Sequence, residues 1–319
     1  MEKSKKKWGF LRVSAVISAV IFLLITAISG GYVLATNNPV PQPKGLTFVR
    51  TGNFDTRYES WGKPSATQIV LIHGAFESTY YFRPLAQILS KKFHVEAYDI
   101  KGFGYTQRQS PYTVASDAKQ LADFLKARKL DHPILVGHSL GAGVIAQFLL
   151  DHPQAAAGFV FLDGDGIASS RGAGDLINYL PDPYVTAVYR FATRESIVIP
   201  AIFKTACGST CPSLTPAQIN NIQLPFQMTH AQDALFELAQ QPIAGVSTTK
   251  LFKLRSLSIP RAVIFGAQDT EFVPETPEEI ASYIGAAKPT LISGAGHLSM
   301  WAQPQKVADA IFTFIASSK

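Results

Sequence analysis

The chain has 319 residues, 47% hydrophobic and 16% charged, with a formal net charge of +6. That is enough to bury a large core, in one big α/β domain or two small ones. Five of the 29 basic residues (Lys3, Lys5, Lys6, Lys7, Arg12) and one of the 23 acidic ones (Glu2) fall in the first twelve positions, which leaves the remainder at only +2 and without the basic stripe that a nucleic-acid partner requires.

In chain order, residues 1–12 form a basic tail. Residues 13–35, "VSAVISAVIFLLITAISGGYVLA", carry no charge. As a helix they span about 34 Å, against about 30 Å for a hydrocarbon core. The lysines favour the cytoplasmic side, which places everything after Ala35 outside. Two readings stay open. One is a retained transmembrane signal anchor, giving a single-pass protein of the cell membrane. The other is a signal peptide cleaved after Ala35, where Val33 and Ala35 suit a small-residue site, giving a secreted protein. The run exceeds the usual signal core, which favours the anchor. Residues 36–45, with "NNPVPQPKG", read as a linker between the membrane and a domain covering 46–319. Deleting residues 1–44 is accordingly expected to give a soluble, active domain.

"LTFVR" and "TRYESWG" flank a turn and predict an antiparallel hairpin. Six short apolar runs follow: "QIVLIHG", "FHVEAYD", "PILVGHS", "GFVFLDG", "RAVIFGA" and "KPTLISG". Each is too short for a typical helix and is rich in Val, Ile and Phe, as parallel strands buried on both faces should be. Between them "VASDAKQLADFLKARKL" reads as an amphipathic helix, and "LGAGVIAQFLLDHP" as a helix that stops before Pro153. Alternation of this kind builds a mostly parallel sheet with helices on both sides. The rhythm breaks over about 166–259, a stretch with helical patches and many aromatics, read as a helical insertion forming a cap over the sheet's edge. Within it lie Cys207 and Cys211, which occur in "CGSTC" and would face an oxidising compartment, where a small disulfide ring is plausible. No second ligand pair accompanies them, so no metal site is expected.

"GHSLG", 137–141, falls between a predicted strand and a predicted helix. So sharp a turn needs flanking glycines, and it exposes Ser139 Oγ with the helix N-terminus behind it, where N–H groups can stabilise an oxyanion. A serine hydroxyl needs a base, and the base an orienting acid. Asp269 lies just beyond the "RAVIFGA" strand and His297 just beyond the last. Asp163 and Asp165, after the preceding strand, are alternative acids. His73 and His138 are read as structural, and Asp99 as fixing the turn before "GFG".

With "HGAF" at 73–76, "YDIKGFG" at 98–104, "GHSLG" at 137–141, "GAQD" at 266–269 and "GAGH" at 294–297 in this order, the chain resembles the capped serine hydrolases of the α/β-hydrolase superfamily from Leu46 onward. The resemblance implies an α/β fold with a mostly parallel eight-stranded sheet, helices on both faces and the helical cap. It implies Ser139 as nucleophile, His297 as general base and Asp269 as its orienter. It also implies an oxyanion hole from the backbone N–H of Leu140 and of Ala75 or Phe76, with neither metal nor organic cofactor.

The function expected is hydrolysis of an ester or other small acyl compound through an acyl-enzyme, by a carboxylesterase-like enzyme tethered outside the cytoplasm. The insertion's aromatics and few charges lean toward an apolar acyl or alkyl group as substrate. A carbon–carbon hydrolase or a cofactor-free haloperoxidase would use the same triad. A non-catalytic binding protein on this fold is the alternative from another class.

Overall fold

The predicted hairpin is formed by β1 (Thr47–Thr51) and β2 (Phe54–Trp61). The six apolar runs are β3 (Gln68–Ile72), β4 (His94–Tyr98), β5 (Ile134–His138), β6 (Gly158–Leu162), β7 (Arg261–Gly266) and β8 (Thr290–Ile292). The computed structural model describes residues 2–38, 40–168, 179–242, 245–269 and 275–318. Of the predicted cap, 169–178 and 243–244 lie outside these. The eight strands make one sheet in the order β1-β2-β4-β3-β5-β6-β7-β8. β2 runs antiparallel to both of its neighbours, and every pairing from β4 to β8 is parallel.

The lack of polar alternation in the strands has a direct cause. In β3, Val70 and Ile72 enter one hydrophobic layer, Ile69 and Leu71 the other, and all four are fully buried. Helices α2 (Arg83–Leu89) and α10 (Pro304–Ser317) cover the Leu71 side through Leu85, Leu89, Val307 and Ile311. The Val70 side is covered by α3 (Val114–Arg128), α4 (Leu140–Asp151) and α9 (Pro277–Ile284), with Leu121, Phe124, Val144 and Ile280 packed inward. Helix α3 is bounded as its sequence prescribes: the Thr113 side chain accepts from Ser116 N–H, and Lys129 ends it in the left-handed region. His94, which sequence position suggests is a loop or edge residue, instead opens the inner strand β4, where it is buried beside Glu96. The carboxylate satisfies the Nε2 side of the ring.

Between β6 and β7 the described chain holds helices α5 (Tyr184–Arg194), α6 (Val198–Cys207), α7 (Pro216–Gln223) and α8 (Ala231–Ala239). The apolar N-terminal segment is one continuous helix, α1 (Glu2–Ala35), and its residues Leu11–Ala35 are long and apolar enough to cross a membrane, as an anchor or as a signal sequence. The C-terminal half of α1 lies against α5. Thr26 and Tyr184 share a hydroxyl hydrogen bond, the Phe22 and Tyr184 rings are 6.2 Å apart, and Tyr32 OH donates to Glu195 at 3.1 Å. Arg190 donates to the Val33 carbonyl and the Asn37 side chain, and Arg194 to the Asn38 carbonyl. A cation at a helix C-terminus meets carbonyls that no intrahelical N–H satisfies. The start of the 36–45 segment is thus fastened to the insertion, as is Val40, whose N–H donates to Gln227 O.

Candidate active site

Ser139 follows β5 directly and precedes α4, with φ 50° and ψ −118°. That backbone region costs a residue with a Cβ about 1–3 kcal/mol, so the surroundings must impose it. They do so by close packing. A Cβ on Gly137 would stand 2.5 Å from Gly141 O, and one on Gly141 would stand 2.4 Å from Ile72 O. The two glycines of "GHSLG" therefore let α4 descend onto β5 and β3, and the serine takes the strain.

The loops after β7 and β8 bring the other two predicted residues to it. His297 Nε2 is 3.0 Å from Ser139 Oγ, and His297 Nδ1 is 2.8 Å from Asp269 Oδ2. An ionised carboxylate only accepts, so Nδ1 carries the hydrogen and Nε2 is left to accept from the serine hydroxyl. The Asp269 side chain is fully buried, and that of His297 is 9% exposed.

The two alternative acids are occupied elsewhere. Asp163 Oδ1 accepts from Gly266 N–H at 2.7 Å, and its Oδ2 accepts from Ser299 N–H and Oγ–H. Burial pushes the Asp163 carboxyl up to about 6, against the pull of His138 and His297. Asp165 accepts from Ile167 N–H, and burial followed by Glu275 beside it pushes its carboxyl up to about 6. Of the three, Asp269 is the one bonded to His297.

The loop after β3 closes the other side. A Cβ on Gly74 would meet both Ser139 Cβ and His138 Nδ1 at 2.9 Å, so the Ala75–Phe76 turn lies directly beside the serine. Phe76 has φ 62° and a half-exposed ring. Leu140 is the first residue of α4. Among the described residues no hydrogen bond uses the backbone N–H of Ala75, Phe76 or Leu140.

Sequence reading missed the group underneath. Glu77 is buried, and its Oε2 accepts from Gly74 N–H at 2.9 Å and from His138 Nδ1 at 3.0 Å. The opposite ring nitrogen, Nε2, donates to the carbonyl oxygen of His297 at 2.7 Å. Both partners of His138 are acceptors, so both nitrogens hold hydrogens and the ring is an imidazolium. Burial alone would lower its pKa; Glu77 outweighs that and raises it to about 9. Burial likewise opposes the Glu77 carboxylate, and His138 more than compensates, holding it below the usual range. The available signal was the glutamate directly after "HGAF", the one acid between Glu59 and Glu96. His73 is neutral by contrast: burial lowers its pKa, and its Nε2 accepts from Ile100 N–H. Asp99 accepts from Thr79 and Tyr105 N–H, holding the turn before Phe103.

Cys207 and Cys211 are joined as a disulfide at the end of α6. This end of the insertion is tied to the histidine loop: Gly296 N–H donates to Cys207 O, Leu298 N–H to Ala206 O, and Thr210 N–H to Gly294 O.

Strained serine, histidine and glycine-lined turn sit together at the carboxyl ends of parallel strands, and residues 67–304 match the family described as alpha/beta hydrolase fold. The chain belongs to this family. Among α/β hydrolases of known sequence it is 26% identical over 277 residues to the 2-hydroxy-6-oxo-6-(2'-aminophenyl)hexa-2,4-dienoic acid hydrolase of Metapseudomonas resinovorans, covering 84% of this chain and 90% of that one. It is 23% identical over 265 residues to the uncharacterized hydrolase YugF of Bacillus subtilis, covering 81% and 93%. Among solved structures, a membrane phospholipase A described as a bacterial virulence factor shares the fold with TM-score 0.69 at 17% identity, over 99% of both chains. The α/β-hydrolase fold and these hydrolase relatives support a hydrolase with a small-molecule substrate.

Proposed function

We propose that this protein is a membrane-tethered serine hydrolase that cleaves an ester or other small acyl compound outside the cytoplasm. One observation carries the reading: Ser139 Oγ, His297 Nε2 and Asp269 Oδ2 form a continuous relay at 3.0 and 2.8 Å, with the serine strained at the head of a helix. In the proposed reaction His297 Nε2 takes the Ser139 proton as Oγ attacks the acyl carbonyl. The oxyanion accepts from the N–H of Leu140 and of Ala75 or Phe76, placed before the charge develops. Collapse expels the alcohol, which receives its proton from His297. Water, deprotonated by the same nitrogen, then attacks the acyl-Ser139 carbonyl, and the carboxylic acid leaves.

The tether rests on the apolar length of α1 behind a lysine cluster. Contacts of Phe22, Thr26, Tyr32 and Val33 with α5 favour retention of the helix over cleavage after Ala35, which would discard them.

A second reading is hydrolysis of a carbon–carbon bond by the same relay. The named activity of the Metapseudomonas relative favours it, at 26% identity over most of both chains. The test is fluorophosphonate labelling of the detergent-solubilised full chain, followed by peptide mapping and a panel of esters, thioesters and a vinylogous diketone. A single adduct on Ser139 that disappears in His297→Ala supports the relay, and the panel decides between the acyl and carbon–carbon readings. A folded protein that takes no label, or a Ser139→Ala variant that still turns over, overturns it.

A further inference from the structure

The uncharged segment from Val13 runs for 23 residues, but a hydrocarbon core of about 30 Å needs only about 20 of them. Counted from the cytoplasmic end, the core is crossed at about Tyr32. The residues of α1 that meet α5 lie on both sides of that level. Thr26, bonded to Tyr184, falls about 9 Å inside it, and Asn37, bonded to Arg190, about 8 Å outside. The two helices run in the same direction, since Phe22 and Thr26 meet the first residue of α5 while Val33, Asn37 and Asn38 meet Arg190 and Arg194 near its end. Docking α1 therefore fixes the depth of α5.

Helix α5 suits that depth. It is strongly amphipathic, with Val185 and Thr186 buried against the insertion while Val188 and Phe191 are 56% and 46% exposed. Beyond it the chain presents Ile197 and Ile202 at 68% and 57% exposure. Large aliphatic and aromatic side chains clustered on one surface are uncommon on a face meant for water. Arg190 and Arg194 sit at the level where α1 leaves the core. Asp182, at the turn before α5 and so at its deeper end, has its carboxylate held by Thr186 Oγ.

We infer that α5 lies in the outer leaflet beside α1, with the Val188 and Phe191 side chains reaching among lipid acyl chains and Arg190 and Arg194 at the headgroups. The occupant of this face is the bilayer itself. A helix that runs beside α1 with apolar side chains toward lipid gains from their burial and from cations near the phosphates. Helix α6 carries the contact inward, because its last residues, Ala206 and Cys207, accept from the backbone on both sides of His297.

This rests on the reading that α1 crosses the membrane, and the test separates the two. Both native cysteines are in the disulfide, so single Cys variants of the full chain can carry a nitroxide. Ile21→Cys, Val188→Cys, Phe191→Cys and Asp309→Cys are reconstituted in phosphatidylcholine vesicles, and collision with oxygen is compared with collision with a water-soluble nickel chelate. Expected is oxygen-dominated, lipid-like behaviour at 21, 188 and 191, and water-like behaviour at 309. Lipid-like behaviour at 21 with water-like behaviour at 188 and 191 overturns this inference alone. Water-like behaviour at 21 as well overturns the anchor reading and this one with it. Shielding at 188 and 191 from both agents, with spin–spin broadening, would place a second copy on this face and also overturn it.

Discussion

His138 Nε2 donates to the carbonyl oxygen of His297 at 2.7 Å, so the residue ahead of the serine holds the backbone of the histidine facing it. Glu77 anchors the arrangement from below, since one carboxylate oxygen accepts from both His138 and the N–H of Gly74 beside the serine. Three loops, those after β3, β5 and β8, are thus pinned to one buried ion pair.

Glu77→Gln tests the pair through its pH dependence. The folded His138 pKa of about 9 lies above its ordinary 6.5, so its contribution to stability is whole below about pH 6.5 and is lost as pH rises through 9. The depressed Glu77 pKa gives the mirror case, a contribution present above its ordinary 4.5 and lost as pH falls through the folded value. Wild type should therefore exceed the variant in urea-unfolding stability by about 3 kcal/mol between pH 5 and 6.5. The gap should narrow steadily toward pH 9 and beyond. A gap independent of pH would mean that His138 is not charged in the fold.

Asp269→Asn and Asp163→Asn should behave differently despite similar burial. The first replaces the acceptor of His297 Nδ1–H and can invert the tautomer, so kcat/KM should fall by about 10³–10⁴-fold with little change in melting temperature. The second disturbs the bonds to Gly266 and Ser299, which touch no reacting atom in the proposed mechanism. Its cost should appear in stability, with activity retained. Equal losses of activity would show that the buried carboxylate near His138 also takes part.

What could be read from the sequence follows the range of the interactions involved. The inner strands are legible because burial on both faces leaves an unbroken run such as Ile69–Ile72, the first two because they flank a turn, and the serine turn because Gly137 and Gly141 are sterically required beside Ser139. Asp269 and His297 are legible as residues just past strand ends. The choice of Asp269 over Asp163 and Asp165 rests on the family resemblance and not on local pattern, since it depends on where carboxylates separated by about a hundred residues meet in space. Glu77 left only the trace of a lone acid between Glu59 and Glu96. The docking of Thr26 on Tyr184 and of Val33 on Arg190, each across about 160 positions, left no periodicity at all.

The Cys207–Cys211 bond closes a ring with a sequence separation of 4, and a ring so small restricts the unfolded chain by only about 2 kcal/mol. Its effect on activity should exceed its effect on stability. The ring shapes the segment whose Cys207 O and Thr210 N–H bond the backbone around Gly294–Gly296, one residue from His297. Paired replacement by alanine should lower the melting temperature modestly and lower kcat several-fold with KM nearly unchanged. Steady-state kinetics with calorimetry separates the two. A change in KM alone would place the ring in substrate contact instead.

Removing residues 1–44 separates the relay from its tether. Ser139, His297, Asp269, Glu77 and His138 are linked to one another by hydrogen bonds within the α/β domain, so the truncated chain should hydrolyse a short, water-soluble ester with the kcat/KM of the full chain. The sequence alone predicts a freely soluble fragment, and the docked helix changes that expectation. Truncation strips Phe22 and Thr26 from Tyr184, and Val33 and Asn37 from Arg190, extending the apolar surface already formed by Val188 and Phe191. A surface of that kind drives self-association in water. The fragment should elute as oligomers without detergent and as a monomer with it, active in both. Light scattering and an ester assay on the same fractions decide the matter. A monodisperse fragment without detergent would mean that α1 covers little of α5, whereas an unfolded one would mean that α1 is part of the domain's core.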